Sequence, residues 1–195
     1  MDESPAGAKA ELRRDALARR DALPPAERES ASRKIVDHLA VLLEERRVGS
    51  IAATAPIRSE ADVLPLLTLA AARGLDTALP LVAGDELSFR RWRPGDRLAA
   101  DAFGVPQPDA GAAAVVPEMI VLPLAAFDRH GHRLGYGKGH FDRALATLLA
   151  AGSRPLLVGA GFAVQEVASI PVEAHDVALD VVVTERETLT LDHFR

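Results

Sequence analysis

Six apolar residues in a row, Met119-Ile-Val-Leu-Pro-Leu, run into a charged, glycine-rich stretch and then into helix-forming residues. A run this short, with no polar alternation, has to be covered on both faces, as a central strand of a parallel sheet is. Pro123 has no amide hydrogen to give to a ladder, so it belongs at the strand's end or at a bulge. The rest of the chain keeps the same rhythm. Strands are predicted at 48–54, 77–82, 88–92, 156–159 and 181–184, with helices at 63–72 and 140–151 and a short helical turn at 164–168. Gly74, Gly84-Asp85 and Pro94-Gly95-Asp96 mark the turns between them. Residues 103–108 read as extended, and 110–117 as a connector. Phe89 and Trp92 are expected in the core.

Two helices precede every strand. One spans 8–22 without Gly or Pro; the other spans 25–45, opens on Pro25 and carries the apolar stripe Ile35, Leu39, Leu42 and Leu43. On the first helix Leu12, Ala16 and Arg19 share one side, while Lys9, Arg13 and Arg20 lie along another; on spacing alone these cations read as a solvated face. The expected fold is a three-layer α/β/α domain with a largely parallel sheet, preceded by an N-terminal helical pair.

The 195 residues suit one domain over 1–195. Without cysteine there is no disulfide framework, thiolate zinc site, iron–sulfur cluster or cysteine nucleophile. Lys and Arg number 23 against 28 Asp and Glu, a net charge of −5, which disfavours general nucleic-acid binding. No apolar run is long enough to cross a bilayer, and the opening Met-Asp-Glu-Ser-Pro lacks the apolar core of a secretory signal. A cytoplasmic protein without a membrane or nucleic-acid partner is expected.

The segment richest in chemistry is Asp128-Arg-His-Gly-His-Arg-Leu-Gly-Tyr-Gly-Lys-Gly-His-Phe-Asp-Arg143. It lies between a buried strand and a helix, where open α/β sheets place their ligands. Gly135, Gly137 and Gly139 alternate, so the backbone can turn tightly and present N–H groups to an anion. The helix that follows offers unpaired N–H groups and a partial positive charge to phosphate. Arg133 and Lys138 add full charges, and Asp142 is placed to hold Mg²⁺, which takes one or two carboxylates plus phosphate oxygens. The segment is neither a P-loop, since His132 stands where the early Gly would be, nor a dinucleotide fingerprint, since His140 stands at the third Gly. The pair His130 and His132 reads as polar loop rather than as a metal site.

The run Arg133-Leu-Gly-Tyr-Gly-Lys-Gly-His-Phe-Asp142 closely resembles the signature of the 5-formyltetrahydrofolate cyclo-ligase family, and the resemblance covers nearly the whole chain. Lys9-x-x-x-Arg13 is similar to that family's ATP-binding pair, and Thr54-Ala-Pro-Ile-Arg-Ser-Glu60 to its folate-binding loop. Phe103-Gly-Val-Pro-Gln-Pro108 resembles its central element, and Ile170-Pro-Val-Glu-Ala-His-Asp176 its C-terminal motif. His140-Phe141 departs from a frequent Tyr-Tyr, and Gln107 from a more usual Glu.

The resemblance implies a sugar-phosphate-isomerase-like Rossmannoid fold and an enzyme, a ligase forming a C–N bond. It would cyclise 5-formyltetrahydrofolate, polyglutamylated or not, to 5,10-methenyltetrahydrofolate with ATP and Mg²⁺, through a phosphorylated formyl intermediate, releasing ADP and phosphate. Lys138 and Arg133 are the implied catalytic cations. The nucleotide would be held by Lys9, Arg13, Arg133, Leu134, Gly135, Tyr136, Gly137, Lys138, Gly139, His140 and Phe141. Folate would meet Ala55, Glu60, Phe103 and Tyr136, and the metal Asp142 and Asp176. A monomer is expected. A non-catalytic nucleotide- or folate-binding relative and a sugar-phosphate isomerase-like enzyme are the competing readings.

Overall fold

The computed structural model describes residues 5–101, 104–173 and 176–191. In chain order the elements are helices α1 (Pro5–Asp21) and α2 (Pro25–Arg46), strand β1 (Ser50–Ala52), helix α3 (Leu64–Ala72), strands β2 (Asp76–Ala83), β3 (Glu86–Arg91), β4 (Ala99–Ala100), β5 (Pro106–Gln107), β6 (Met119–Pro123), β7 (Ala126–Phe127) and β8 (Arg133–Leu134), helix α4 (His140–Ala150), strand β9 (Leu156–Ala160), a 3-10 turn Ala163–Gln165, and strands β10 (Val181–Val183) and β11 (Thr188–Thr190). Seven strands form one sheet in the order β11-β10-β9-β6-β1-β2-β3. Its five inner strands are parallel, and the edge strands β3 and β11 are antiparallel to their neighbours. The N-terminal helical pair and the largely parallel sheet expected from the sequence are both present.

β6 shows why its sequence could not alternate. Met119 and Val121 pack into a cluster with Ile35, Leu39 and Leu66 from α2 and α3. Ile120 and Leu122 face the other way, into a cluster with Leu145 of α4. Each face thus has its own helical cover, and Pro123 closes the strand, where a missing donor costs least. Phe89 and Trp92 are both buried, on opposite faces of the sheet.

Several elements differ from expectation. The first strand is shorter than predicted, since the chain leaves the sheet after Ala52 to build a loop. The glycine-rich stretch is not all loop: β8 pairs with β7 in a small antiparallel hairpin. The edge strand β11 has no apolar run to reveal it, because only its β10 side is paired. Gln107 is a tie between strands: its carbonyl accepts the Val82 N–H at 3.1 Å, and its amide donates to Asp101 at 2.9 Å. A glutamate could not donate that second bond.

The solvated face expected of α1 is a correction. Lys9 and Arg20 are 8% and 1% exposed, and between them lies fully buried Ala16. With Arg13 these residues fall at steps of four, three and four along one face. That face turns inward, against Ala125, Ala126, Leu134 and Ile170 beyond the ends of the strands. No described helix is long and apolar enough to cross a membrane.

Candidate active site

The winding of the sheet reverses between β1 and β6. From β1 the chain passes through α3 to β2, while from β6 it passes through α4 to β9 on the opposite side. At such a reversal the two loops part and leave a crevice at the strands' C-terminal ends. That crevice exists here, lined by Thr54, Glu60 and Val63 after β1, Leu122 from β6, Leu124 just past its end, and Gln165. The stretches 53–63, 124–139 and 161–173 contribute to it, and α1 packs against the last two.

Glu60 is held by a tight turn. Its Oε2 accepts the Ile57 N–H at 2.9 Å and its own N–H donates to the Ile57 carbonyl at 3.1 Å. Its Oε1 is buried and has no hydrogen-bond partner among the described residues. Burial raises the carboxyl's pKa above 4.5, and the Ile57 N–H, the nearby Tyr136 hydroxyl, Arg20 and Arg58 only partly offset this. A buried acceptor without a donor costs about 1–3 kcal/mol, more when charged, so Oε1 calls for a ligand donor. Ala55, buried, lies in the same loop, and Phe103 lies outside the described residues.

The hairpin that carries the signature rests on Asp128, which is fully buried. Its carboxylate accepts the N–H groups of His130 (2.9 Å), His132 (3.1 Å) and Ile170 (2.9 Å), and pairs with His132 Nδ1 at 2.9 Å. Burial would raise its pKa, but these bonds outweigh it and hold the carboxyl below 3.8. The two histidines therefore belong to the loop's scaffold. Asp128 was not anticipated, although an Asp ahead of backbone N–H groups two and four residues on is a recognisable turn device.

Above this base the charged groups gather. Arg133 donates to Asp142 Oδ1 at 2.6 Å and to the Val177 carbonyl, with its side chain 7% exposed. Burial lowers its pKa, while the charges of Asp142 and Asp176 pull it back up. Lys9 Nζ lies 2.7 Å from Glu173 and 2.5 Å from Asp176. Burial would lower the Lys9 pKa, yet these carboxylates raise it. Arg13 Nε donates to the Gly135 carbonyl at 2.6 Å, and its guanidinium sits beside Gly137. Arg13 therefore meets the signature loop and Lys9 the carboxylates of the segment before β10, while Arg133 feels the charges of both Asp142 and Asp176.

Gly137 and Gly139 have φ of +88° and +66°, the left-handed region that favours glycine. Gly139 caps α4 without a side chain, so the first N–H groups at His140 and Phe141 face outward unpaired by a cap. Lys138, between the two glycines, is exposed on the rim. Leu134 turns inward to pack near Ala16. Tyr136 reaches toward the crevice: its hydroxyl accepts from Arg20 at 3.1 Å, and its ring lies 5.9 Å from both the Arg20 and Arg58 guanidinium carbons. Burial and then the Glu60 charge push its pKa up to about 12, so the phenol stays neutral.

This arrangement sets a rim rich in cations and backbone N–H groups beside a crevice with a buried carboxylate, at the place where α/β enzymes carry their sites. The chain belongs to the 5-formyltetrahydrofolate cyclo-ligase family, whose sequence profile matches residues 5–185. It is 32% identical over 188 residues to the 5-formyltetrahydrofolate cyclo-ligase of Mycolicibacterium smegmatis, covering 91% of this chain and 94% of that protein. The Escherichia coli K12 enzyme of the same name is 27% identical over 173 residues, 85% and 94% of the two chains. The solution structure of 5,10-methenyltetrahydrofolate synthetase from Aquifex aeolicus superposes with a TM-score of 0.81 at 33% identity, over 94% and 93% of the chains.

Proposed function

We propose that this enzyme closes 5-formyltetrahydrofolate, with one glutamate or several, to 5,10-methenyltetrahydrofolate at the expense of ATP. The observation that carries the reading is the adjacency of the two halves: a cation- and amide-rich rim around α4's N-terminus, and a crevice holding the unpartnered Oε1 of Glu60. Tyr136 belongs to the rim's loop, and its hydroxyl meets the Glu60 carboxylate that lines the crevice. Phosphate and pterin would therefore lie side by side, as a transfer between them requires.

A formyl oxygen is a poor leaving group. ATP supplies the γ-phosphoryl group: the bond to ADP's oxygen breaks as a bond to the formyl oxygen forms, N10 attacks the activated carbon, and phosphate leaves as the ring closes, carrying the proton that N10 gives up. The chain's task is positioning and charge stabilisation. Lys9, Arg13, Arg133 and Lys138 take the phosphate charge, with N–H groups along 135–141. Glu60 accepts from the pterin's N–H donors.

The residues present suit Mg²⁺. Asp142 and Asp176 are hard oxygen donors whose charges both act on Arg133, and among the described residues no group of three or more carboxylates or imidazoles forms a metal cluster. Two carboxylates are what a Mg²⁺ completed by phosphate and water takes. Each now pairs with a cation, Arg133 or Lys9, that bound phosphates would share.

The test is to mix protein, Mg-ATP and 5-formyltetrahydrofolate and follow the near-ultraviolet absorbance of the methenyl product. Wild type should give steady growth, and Lys138→Ala should lower kcat by roughly a hundredfold or more, the usual effect of losing a donor to developing charge. Nucleotide binding without product, or no nucleotide binding, contradicts the proposal.

A further inference from the structure

Resting on that reading, we infer that Arg20 is a positioning residue for the pterin end of the substrate, holding Tyr136 and the Glu60 loop in register from beneath. Its guanidinium is 1% exposed on α1, three helical turns after Lys9. Burying such a charge is costly unless its donors are matched. They are matched by the two segments that form the crevice. Nε donates to Ser59 Oγ at 2.9 Å, and an Nη donates to the Tyr136 hydroxyl at 3.1 Å. Ser59 in turn donates to Asp21, whose carboxylate lies 3.6 Å from Arg20 Nε.

The consequence is directional. Because the Tyr136 oxygen accepts from Arg20, its own proton is left to donate elsewhere. The phenol is neutral, the Arg20 and Arg58 guanidinium carbons each lie 5.9 Å from its ring, and its hydroxyl meets the Glu60 carboxylate, so that proton points to the crevice that Glu60 lines. Arg20 therefore orients one donor and supports the loop bearing one acceptor. Lysine would carry the charge but not the planar fork that reaches both segments. Lys9 and Arg13, on the same helix face, contact the rim instead. One helix thus serves both ligands with different cations.

The experiment compares wild type, Arg20→Gln, Arg20→Lys, Tyr136→Phe and Arg20→Gln/Tyr136→Phe by KM for 5-formyltetrahydrofolate, KM for ATP, kcat and Tm. Arg20→Gln should raise the folate KM roughly tenfold or more, the scale of a lost charged hydrogen bond, with the ATP KM within about twofold. Arg20→Lys should not restore it. Tyr136→Phe should raise the folate KM with a Tm near wild type, and the double variant should add little, since both changes break one linkage. Equal rises in both KM values, an unchanged folate KM with lower Tm, full rescue by lysine, or additivity would each overturn the inference. Should Arg20→Gln not fold, Tyr136→Phe alone decides by the same split. A wild type that binds Mg-ATP but never folate removes the functional reading itself, and this inference with it.

Discussion

Glu60 shows most sharply how function is bought against stability. Its carboxyl is raised above 4.5 by burial, so the folded protein holds that proton more tightly than the unfolded chain does. The stabilising side of this linkage lies at acid pH: it is complete below 4.5 and fades as pH climbs through the folded value. At neutral pH the ionised group therefore opposes folding, its protein neighbours compensate only in part, and a ligand donor at Oε1 would lessen the rest. Glu60→Gln should raise Tm at pH 7, with the gain closing toward zero below pH 4.5, because both side chains are then neutral. The same change should raise the folate KM by roughly tenfold or more, as a charge-assisted bond is lost. Calorimetry across pH and initial rates check the two halves. A lower Tm at neutral pH, or an unaltered KM, contradicts this account of the group.

At the scale of the element, the β7–β8 hairpin and its entry into α4 divide the labour among their glycines. Gly137 is bound by conformation, at φ +88°, so Gly137→Ala should cost about 1 kcal/mol or more. In a chain of this size that lowers Tm by about 2–4 °C or more. Gly135 has an ordinary φ, and among the described residues none beyond its chain neighbours lies within 4 Å of where a Cβ would stand. Its lack of a side chain serves space outside the chain rather than folding. Gly135→Ala should leave Tm unchanged and weaken Mg-ATP binding by roughly tenfold, the effect of crowding a fitted contact. Scanning calorimetry and titration calorimetry on the two variants separate the roles; a Tm loss for Gly135→Ala, or unimpaired binding, runs against it.

Across the whole molecule, what could be read from sequence was what depends on local pattern. The both-faced apolar run at 119–122 declared the central strand, Pro123 its end, and the glycines of the Arg133–Asp142 run the tight passage into α4. What could not be read depends on which surface meets which. On α1 the pattern of Lys9, Arg13 and Arg20 is that of a solvated stripe, because no local rule announces that carboxylates 164 and more residues away will cover it. Arg20 escaped for a related reason: its partners, Ser59 and Tyr136, are 39 and 116 residues distant. The sheet's reversal between β1 and β6 joins these scales, since it brings three loops and a helix to one edge.

That convergence is tested most directly by a crystal structure with Mg²⁺ and a non-hydrolysable ATP analogue. The triphosphate should lie on the N–H groups at Gly135–Phe141, within reach of Lys9, Arg13, Arg133 and Lys138, with the metal on Asp142 and Asp176. Density for the triphosphate at any other edge of the sheet, with this rim bare, would contradict the assignment.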